Sequence, residues 1–406
     1  MPHFKTRILE LPPLPFEAQH IEGDFKFENL YTSCNNPRFS LLNVKYLPKN
    51  PQSKEQHFFL EIKKTPQETL VRFDKNSRIS PVEIIKNALE ILAKKQTTLI
   101  THNLYGKNTI VDYKLPFIKN VNDFLCFEDL LASLPLKKPK IWLEIGFGSG
   151  RNLLFNAKEN PEILHIGLEI HHPSLEQVAR QIGLLGLNNV LILAYDARIF
   201  LELLPSNCLE KIFVHFPVPW DKKPHRRIFS QAFLKQSARV LEQEGLLQLR
   251  TDSYEYFYYA QNLAQNHTDF KIQIPKNPPQ NLISKYEARW LRQNKIIYHL
   301  HLINTKIHKE RTFDLNFTFP NCAFLPYKKQ KIIKEHYFVH LEDALTYPNG
   351  TLFRVSFGDF NYPETRYIQR TNITQYFREN PLPTQANHDS HQTLCKLLYD
   401  IQGVTL

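Results

Sequence analysis

Residues 143–152 read LEIGFGSGRN, an apolar run that ends in a turn with three glycines, Gly146, Gly148 and Gly150. Glycine adopts backbone angles closed to other residues and lets a ligand approach the main chain closely. The GxGxG spacing differs from the GxGxxG of dinucleotide-binding folds, and Glu144 directly before the turn would repel a pyrophosphate. The stretch therefore favours a ligand with a cation or hydroxyl groups. A dinucleotide site and a tight turn with a surface Glu are the alternative interpretations.

Around this turn, residues 116–305 alternate short apolar runs with amphipathic ones. The predicted strands are KIWLEI (140–145), ILHIGLE (163–169), VLILAYD (190–196), KIFVHF (211–216) and LLQLR (246–250). The predicted helices between them are RNLLFNAKEN, PSLEQVARQIGLL, ARIFLELL and FSQAFLKQSARVLEQ. This alternation predicts a parallel sheet with helices on both faces, and such sheets bind ligands beyond the carboxyl ends of their strands.

Acidic residues stand at the ends of the first three predicted strands, as Glu144, Glu169 and Asp196. A carboxylate after the second strand can accept hydrogen bonds from ribose hydroxyls, and one after the third can accept from an adenine amino group. Asp196 also suits a helix N-cap. Together the three acids favour S-adenosylmethionine, because its ammonium and sulfonium groups suit an acidic site.

The composition favours some classes of protein over others. The 406 residues carry a net charge of +11 with a pI near 9.2, which favours an anionic partner such as nucleic acid or a membrane surface; an ordinary basic protein is the alternative. The start lacks the apolar core of a secretory signal, and no run reaches the roughly 18 apolar residues of a membrane span. The five cysteines form no CxxC pair, so we expect a cytoplasmic protein without a metal site.

The fourth predicted strand ends in HFPVPW (215–220), and the basic run DKKPHRR (221–227) follows at once. Pro217 and Pro219 fix their own backbone angles, which stiffens the loop and ends the sheet ladder. This loop follows the strand that faces the predicted donor site, so its basic side chains would hold phosphates there. A solvated charge run is the alternative. The predicted RNA contacts are Lys223, Arg226 and Arg227.

Five motifs together resemble the bacterial tRNA (guanine-N7-)-methyltransferase family. They are LEIGFGSG (143–150), GLEIH (167–171), YDA (195–197), FPVPW with its basic tail, and LRTD (249–252). The resemblance covers about residues 125–305, and the FP-x-PW block is its most diagnostic part. It implies a Rossmann-like fold and transfer of a methyl group from S-adenosylmethionine to N7 of a guanosine in the tRNA variable loop.

The resemblance also implies roles for single residues. The S-adenosylmethionine site would consist of Glu144, Gly146, Gly148, Glu169 and Asp196. The substrate guanosine would be bound by Lys222, Asp252, Ser284 and Glu287. Ser284 and Glu287 belong to the segment SKYE, which stands where the family has T-x-[FY]-E.

Position 218 departs from the family pattern, which has Asp between the two prolines where this chain has Val218. Guanine N7 carries a lone pair and no proton, so methyl transfer needs no general base. The task of the enzyme is then to align N7, the methyl carbon and sulfur. We therefore predict no certain catalytic residue, and Asp221 and Asp252 are both candidates for part of the lost carboxylate's role.

Two other functions fit parts of the sequence. A catalytically silent tRNA-binding protein would explain Val218, but it would have no use for the intact set Glu144, Glu169 and Asp196. A methyltransferase for another RNA base or a small acceptor is the second alternative. Amine methylation usually uses an Asn/Asp-Pro-Pro-aromatic loop, which FPVPW is not, and a small acceptor leaves the basic tail unexplained.

The outer zones are predicted to be accessory domains flanking a methyltransferase domain at 116–305. Residues 1–115 combine strand-like runs with the amphipathic helix PVEIIKNALEILAKK and predict an α+β domain of unknown role. Residues 306–406 predict a β-rich domain with a hairpin turn at Pro348-Asn349-Gly350. The lysines between 306 and 336 either extend the tRNA surface or form a solvated face.

Overall fold

The chain folds into two units, and not into the three domains predicted from the sequence. The computed structural model describes residues 1–49, 55–77, 79, 82–104, 115–276, 296–311 and 316–400. One unit, here the outer unit, is formed by Met1–Ile110 together with Asp314–Leu406. The other, the central unit, is Val111–Phe313. The two zones that we predicted to be separate accessory domains combine into a single unit.

The elements are numbered along the described residues. The strands are β1 (His3–Thr6), β2 (Phe16–Ala18), β3 (Gly23–Ser33), β4 (Phe39–Pro48), β5 (Gln56–Lys64), β6 (Thr69–Phe73), β7 (Leu99–His102), β8 (Ile141–Ile145), β9 (Leu164–Leu168), β10 (Val190–Leu193), β11 (Leu209–His215), β12 (Leu241–Thr251), β13 (Phe270–Gln273), β14 (Tyr298–Asn304), β15 (Gln330–Ile333), β16 (Phe338–Tyr347), β17 (Gly350–Gly358), β18 (Pro363–Arg370) and β19 (Thr374–Tyr376). The helices are α1 (Val82–Ala93), α2 (Phe127–Ala132), α3 (Arg151–Glu159), α4 (His172–Leu185), α5 (Ala197–Leu203), α6 (Gln231–Val240), α7 (Tyr254–Gln265) and α8 (Gln385–Leu398). None of these helices of the described chain is long and apolar enough to cross a membrane.

The central unit contains a sheet in the order β10–β9–β8–β11–β12–β14–β13. The first five strands are parallel to one another, and β14 and β13 add antiparallel strands at one edge. The chain adds strands in one direction from β8 to β10 and in the other from β11 to β12. The switch point between β8 and β11 is where such sheets bind ligands.

The predicted α/β architecture is confirmed in this unit. All five predicted strands and all four predicted helices are present, with bounds that differ by a few residues. The largest boundary difference is in the strand predicted over 246–250, because β12 begins at Leu241. The helix predicted over 229–243 accordingly ends at Val240. Helices α3 and α4 bury their apolar faces, which include Leu153 and Val178, in the core beside β10.

The outer unit contains an antiparallel sheet of twelve strands among the described residues. Strand β3 from the first zone pairs with β16 from the last through Ser33↔Leu345 and Thr32↔Thr346. A buried cluster that includes Tyr31, Phe59, Leu345 and Tyr367 crosses the same junction. This long-range pairing is why the two accessory zones form one unit. The predicted hairpin is confirmed, with Pro348 and Asn349 joining β16 to β17.

Candidate functional site

The glycine turn after β8 leaves open space beside the backbone. Gly146 and Gly148 have φ values of +72° and +52°, which favour glycine over other residues. A Cβ atom added to either would meet no atom within 4 Å. A Cβ on Gly150 would instead lie 2.4 Å from Cγ2 of Val178. Gly150 thus serves the packing of α4, and the first two glycines leave room for a ligand.

Glu169 connects this turn to the loop after β9. One carboxylate oxygen accepts a hydrogen bond from the Gly148 backbone N–H at 2.9 Å, and the other accepts from the His171 N–H at 2.9 Å. The side chain is only partly buried, and a carboxylate can accept further hydrogen bonds. Glu169 therefore fixes the turn and keeps acceptor capacity for a ligand.

Three of the predicted donor-site residues line one cavity of about 290 Å³. They are Gly146, Glu169 and Asp196, which follow β8, β9 and β10. The wall is completed from the end of β11 and its loop by His215, Phe216, Val218 and Trp220. The cavity thus lies at the carboxyl edge of the parallel strands, on both sides of the switch point.

Asp196 has the N-cap role that the sequence left open, and it also lines the cavity. Its Oδ1 accepts from the Arg198 backbone N–H at 2.9 Å at the start of α5, and Oδ2 accepts from Arg198 Nη2 at 2.6 Å. Arg198 lines the same cavity. The cap orients the carboxylate, so the two interpretations of Asp196 are compatible.

Glu144 lies behind the turn and is not part of the cavity wall. Its side chain is 5% exposed, and Oε2 accepts a hydrogen bond from Asn152 Nδ2 at 2.9 Å. Burial raises the pKa of Glu144 to about 7, while Asn152 and the positive charge of Arg250 act in the opposite direction. Asn152, the last residue of LEIGFGSGRN, was not predicted to take part, because nothing in its spacing marks it as the partner of Glu144.

The loop after β11 is held in an unusual backbone conformation. Phe216 and Trp220 have φ values of +50° and +47°, which cost energy for residues with a side chain. The Phe216 N–H donates to the Arg250 carbonyl at 2.7 Å, and the Arg250 guanidinium lies 5.4 Å from the Phe216 ring. Val218 is 61% exposed. The loop thus presents an apolar edge, without the family's carboxylate, to the cavity.

His215 at the end of β11 is a cavity residue that the sequence did not identify. Its Nε2 lies 2.9 Å from Oε1 of Gln248, and Nε2 of Gln248 lies 2.8 Å from Nε2 of His301. Burial, together with the nearby charge of Arg250, lowers the pKa of His215 to about 3. The imidazole is therefore neutral at physiological pH. The burial and the partners of His215 come from neighbouring strands that are distant in the sequence, so the sequence alone did not mark this residue.

The basic run splits into exposed and structural side chains. Lys222, Lys223 and Arg226 are exposed, and the Arg226 guanidinium lies 5.1 Å from the Trp220 ring. His225 has a side chain outside the described part.

Arg227, which we predicted to contact RNA, is buried instead, at 8% exposure. Its Nε donates to the Pro219 carbonyl at 2.7 Å, and its guanidinium lies 4.6 Å from the Tyr259 ring. It thus holds the loop in place, and the prediction of an RNA contact is corrected.

The structure describes only some of the residues that we predicted to bind the guanosine. Asp252 directly follows β12, the neighbour of β11, and is partly buried. Ser284 and Glu287 lie outside the described residues. Within the described chain, no group of three or more His, Cys, Asp or Glu side chains is arranged to hold a metal ion.

Comparison with known proteins assigns the chain to a family. A family model described as "Putative methyltransferase" matches residues 138–300. A tRNA (guanine-N(7)-)-methyltransferase of Wolinella succinogenes is 42% identical over 404 residues, which cover 97% of this chain and 99% of that protein. The enzyme of the same name from Helicobacter hepaticus is 37% identical and covers 98% of this chain and 99% of its own length.

The solved structures are much more distant. An rRNA methylase from Streptococcus thermophilus aligns with 45% of this chain and 93% of its own, at 13% identity and a TM-score of 0.31. The assignment rests on the curated relatives, which match both the central and the outer unit. Identity at that level over nearly the whole of both proteins shows that the chain belongs to the tRNA (guanine-N(7)-)-methyltransferase family.

Proposed function

We propose that this protein transfers the methyl group of S-adenosylmethionine to N7 of a guanosine in the variable loop of tRNA. The observation that carries the proposal is the convergence of Gly146, Glu169 and Asp196 on one cavity. The exposed side chains of Lys222, Lys223 and Arg226 directly follow the loop after β11, which lines this cavity. The relatives, named for tRNA guanine-N7 methylation, support the choice of acceptor.

The residues present fit the methyl donor. The open backbone at Gly146 and Gly148 gives the donor room, Glu169 would accept from ribose hydroxyls, and Asp196 would accept from the adenine amino group. Glu144 adds negative charge behind the turn when it is ionised, which attracts the donor's ammonium group. When bound, S-adenosylmethionine supplies an electrophilic methyl group on a sulfonium centre.

The cavity provides positioning and not proton transfer. Guanine N7 attacks with a lone pair and loses no proton, so the neutral His215 and the apolar Val218 are compatible with the reaction. Alignment of the reacting atoms at near-attack distance contributes up to ~7–11 kcal/mol. Asp252, at the end of β12, is the candidate for holding the guanine edge in that alignment.

The function is tested by mass spectrometry of nucleosides from tRNA incubated with the protein and S-adenosylmethionine. We expect 7-methylguanosine to appear, located in the variable loop by fragment analysis. Stable tRNA binding without any methylated nucleoside would instead indicate the catalytically silent protein. A different methylated nucleoside would contradict the proposed acceptor.

In the same assay, we expect Asp252→Ala to lower kcat/KM by about 10–100-fold, because a hydrogen bond to a charged group is worth about 1.5–3 kcal/mol. Val218→Asp should change the rate much less, because the exposed Val218 is not needed for alignment. A Val218→Asp variant many times faster than wild type would show that the native loop is impaired, and would contradict this account.

Donor affinity should depend on pH through Glu144. The pKa of this carboxyl is raised to about 7, so lowering the pH from 8 to 6 reduces its ionised fraction about tenfold. Because the donor is cationic, we expect its dissociation constant to rise by up to about tenfold, measured by isothermal titration calorimetry. The Glu144→Gln variant should lose this dependence, and a variant with the wild-type pH profile would refute the role of Glu144.

The two neighbouring arginines should respond differently to alanine. Arg226→Ala should keep the melting temperature and reduce the slope of log K for tRNA against log salt by ~0.7–0.9, as expected for one lost phosphate contact. Arg227→Ala should destabilise the protein by about 1.5–3 kcal/mol, because it removes a charged donor from the Pro219 carbonyl. Equal salt slopes for Arg226→Ala and wild type would exclude Arg226 from the RNA contact.

A further inference from the structure

A second cavity lies within the outer unit, and none of its lining residues belongs to the donor site. Its volume is about 660 Å³, which falls in the range of typical ligand pockets. The wall is formed mainly by residues 316–322 and 370–375. These segments lie before β15 and around the turn between β18 and β19.

The polar part of this wall is rich in amide side chains. It includes Asn316, Asn321, Asn372, Gln375 and Asn380, all of which are exposed. None of the described residues that line the cavity is Asp or Glu. Amides offer paired donors and acceptors, which match the edges of nucleobases. The wall therefore suits a polar ligand that is neutral or anionic.

Arg370 adds one cation to the wall, stacked on an aromatic ring. Its guanidinium carbon lies 3.6 Å from the centre of the Phe324 ring, and this ring lies 4.2 Å from that of Tyr399. No carboxylate of the described chain forms an ion pair with Arg370. A guanidinium held in this way keeps one face for stacking on a base and its N–H edge for a phosphate.

The back of the cavity is fixed by a buried hydrogen-bond chain. His391 on α8 contacts the Tyr376 hydroxyl through Nδ1 at 3.0 Å and the Thr318 carbonyl through Nε2 at 2.9 Å. The Phe319 ring packs 4.8 Å from the same imidazole. The wall segment around Thr318 is thereby anchored to α8.

We propose that this cavity binds one unstacked nucleotide of the RNA substrate. The base would stack on the Arg370 guanidinium, its edge would contact Asn321 and Asn372, and its phosphate would meet the Arg370 N–H groups. The inference rests on the proposed function for the identity of the RNA. It gives the outer unit a role in holding the substrate, in addition to the basic run beside the donor cavity.

The test compares two Asn→Asp variants of the full-length protein. Asn372→Asp places a negative charge on the exposed rim, where it would repel the phosphate without disturbing a buried contact. Asn361→Asp is the matched control, because Asn361 is exposed and lies at the opposite end of β18, about 26 Å away along the strand. Binding of a tRNA transcript is measured by fluorescence anisotropy, and donor binding by calorimetry.

We expect Asn372→Asp to weaken tRNA binding by about 5- to 100-fold, because it replaces an amide at the base edge by an unpaired negative charge near the phosphate, and Asn361→Asp to stay within about twofold of wild type. Donor binding should be unchanged in both. An equal loss in both variants would reflect general charge repulsion and would overturn the proposal. Unchanged tRNA affinity of Asn372→Asp would overturn it as well.

Titration with adenosine or guanosine 5′-monophosphate separates RNA from a free nucleotide. If the free nucleotide binds, and Asn372→Asp abolishes this binding while tRNA affinity is unchanged, the cavity is a nucleotide site and the proposal is wrong. The assays do not depend on methyl transfer. A wild-type protein that makes no 7-methylguanosine but shows the selective loss in Asn372→Asp would refute the proposed function and leave this inference standing.

Discussion

The hydrogen bond from the Gly148 N–H to the Glu169 carboxylate joins the first two loops at the edge of the parallel sheet. The turn is also linked to the end of β9 by the Gly146 N–H, which donates to the Leu168 carbonyl at 2.8 Å. The Gly148 bond adds to this link and holds a negative charge beside the open backbone of the turn. It therefore fixes Glu169 at the cavity wall, while Asp196 in the next loop is oriented by its own cap of α5.

The side of the cavity formed by the loop after β11 has a different chemical character. The loop after β11 is apolar at Val218 and strained at Phe216 and Trp220, and the buried Arg227 holds it against the Tyr259 ring. Such strain persists only where the surroundings enforce it. An acidic side, which we propose binds the cationic donor, thus lies in the same cavity as an apolar side, which we propose positions the base. This division suits a reaction that depends on alignment and requires no proton acceptor.

Much of the central unit could be predicted, because the patterns that mark its strands and helices lie within short stretches of sequence. Strands of four to seven mostly apolar residues form β8 to β11. Glu169 and Asp196 line one cavity because parallel strands bring their carboxyl ends to one edge, whereas Glu144 lies behind the turn. What could not be predicted depends on contacts across the sequence. Pairing of β3 with β16 merges two zones separated by the whole central unit. Arg226 and Arg227 are identical neighbours in the sequence, and only the contacts of Arg227 with the Pro219 carbonyl and the Tyr259 ring distinguish the structural side chain from the exposed one.

The curated relatives align with nearly the whole chain, so the sequence of the outer unit is shared with them. Its sheet supports a polar cavity with a stacked arginine, and the central unit carries the exposed cations after Trp220. Under the two proposals, each unit would therefore contact the anionic substrate through its own surface. A net charge of +11 is consistent with both surfaces contributing.

The most direct measurement is a crystal structure of the protein with S-adenosylhomocysteine, the product of the donor. The account predicts the ribose hydroxyls within hydrogen-bond distance of Glu169, the adenine beside Asp196 and the amino-acid part along Gly146 and Gly148. A ligand bound outside the cavity at the carboxyl edge of β8 to β11, or one that does not contact Glu169, would contradict it.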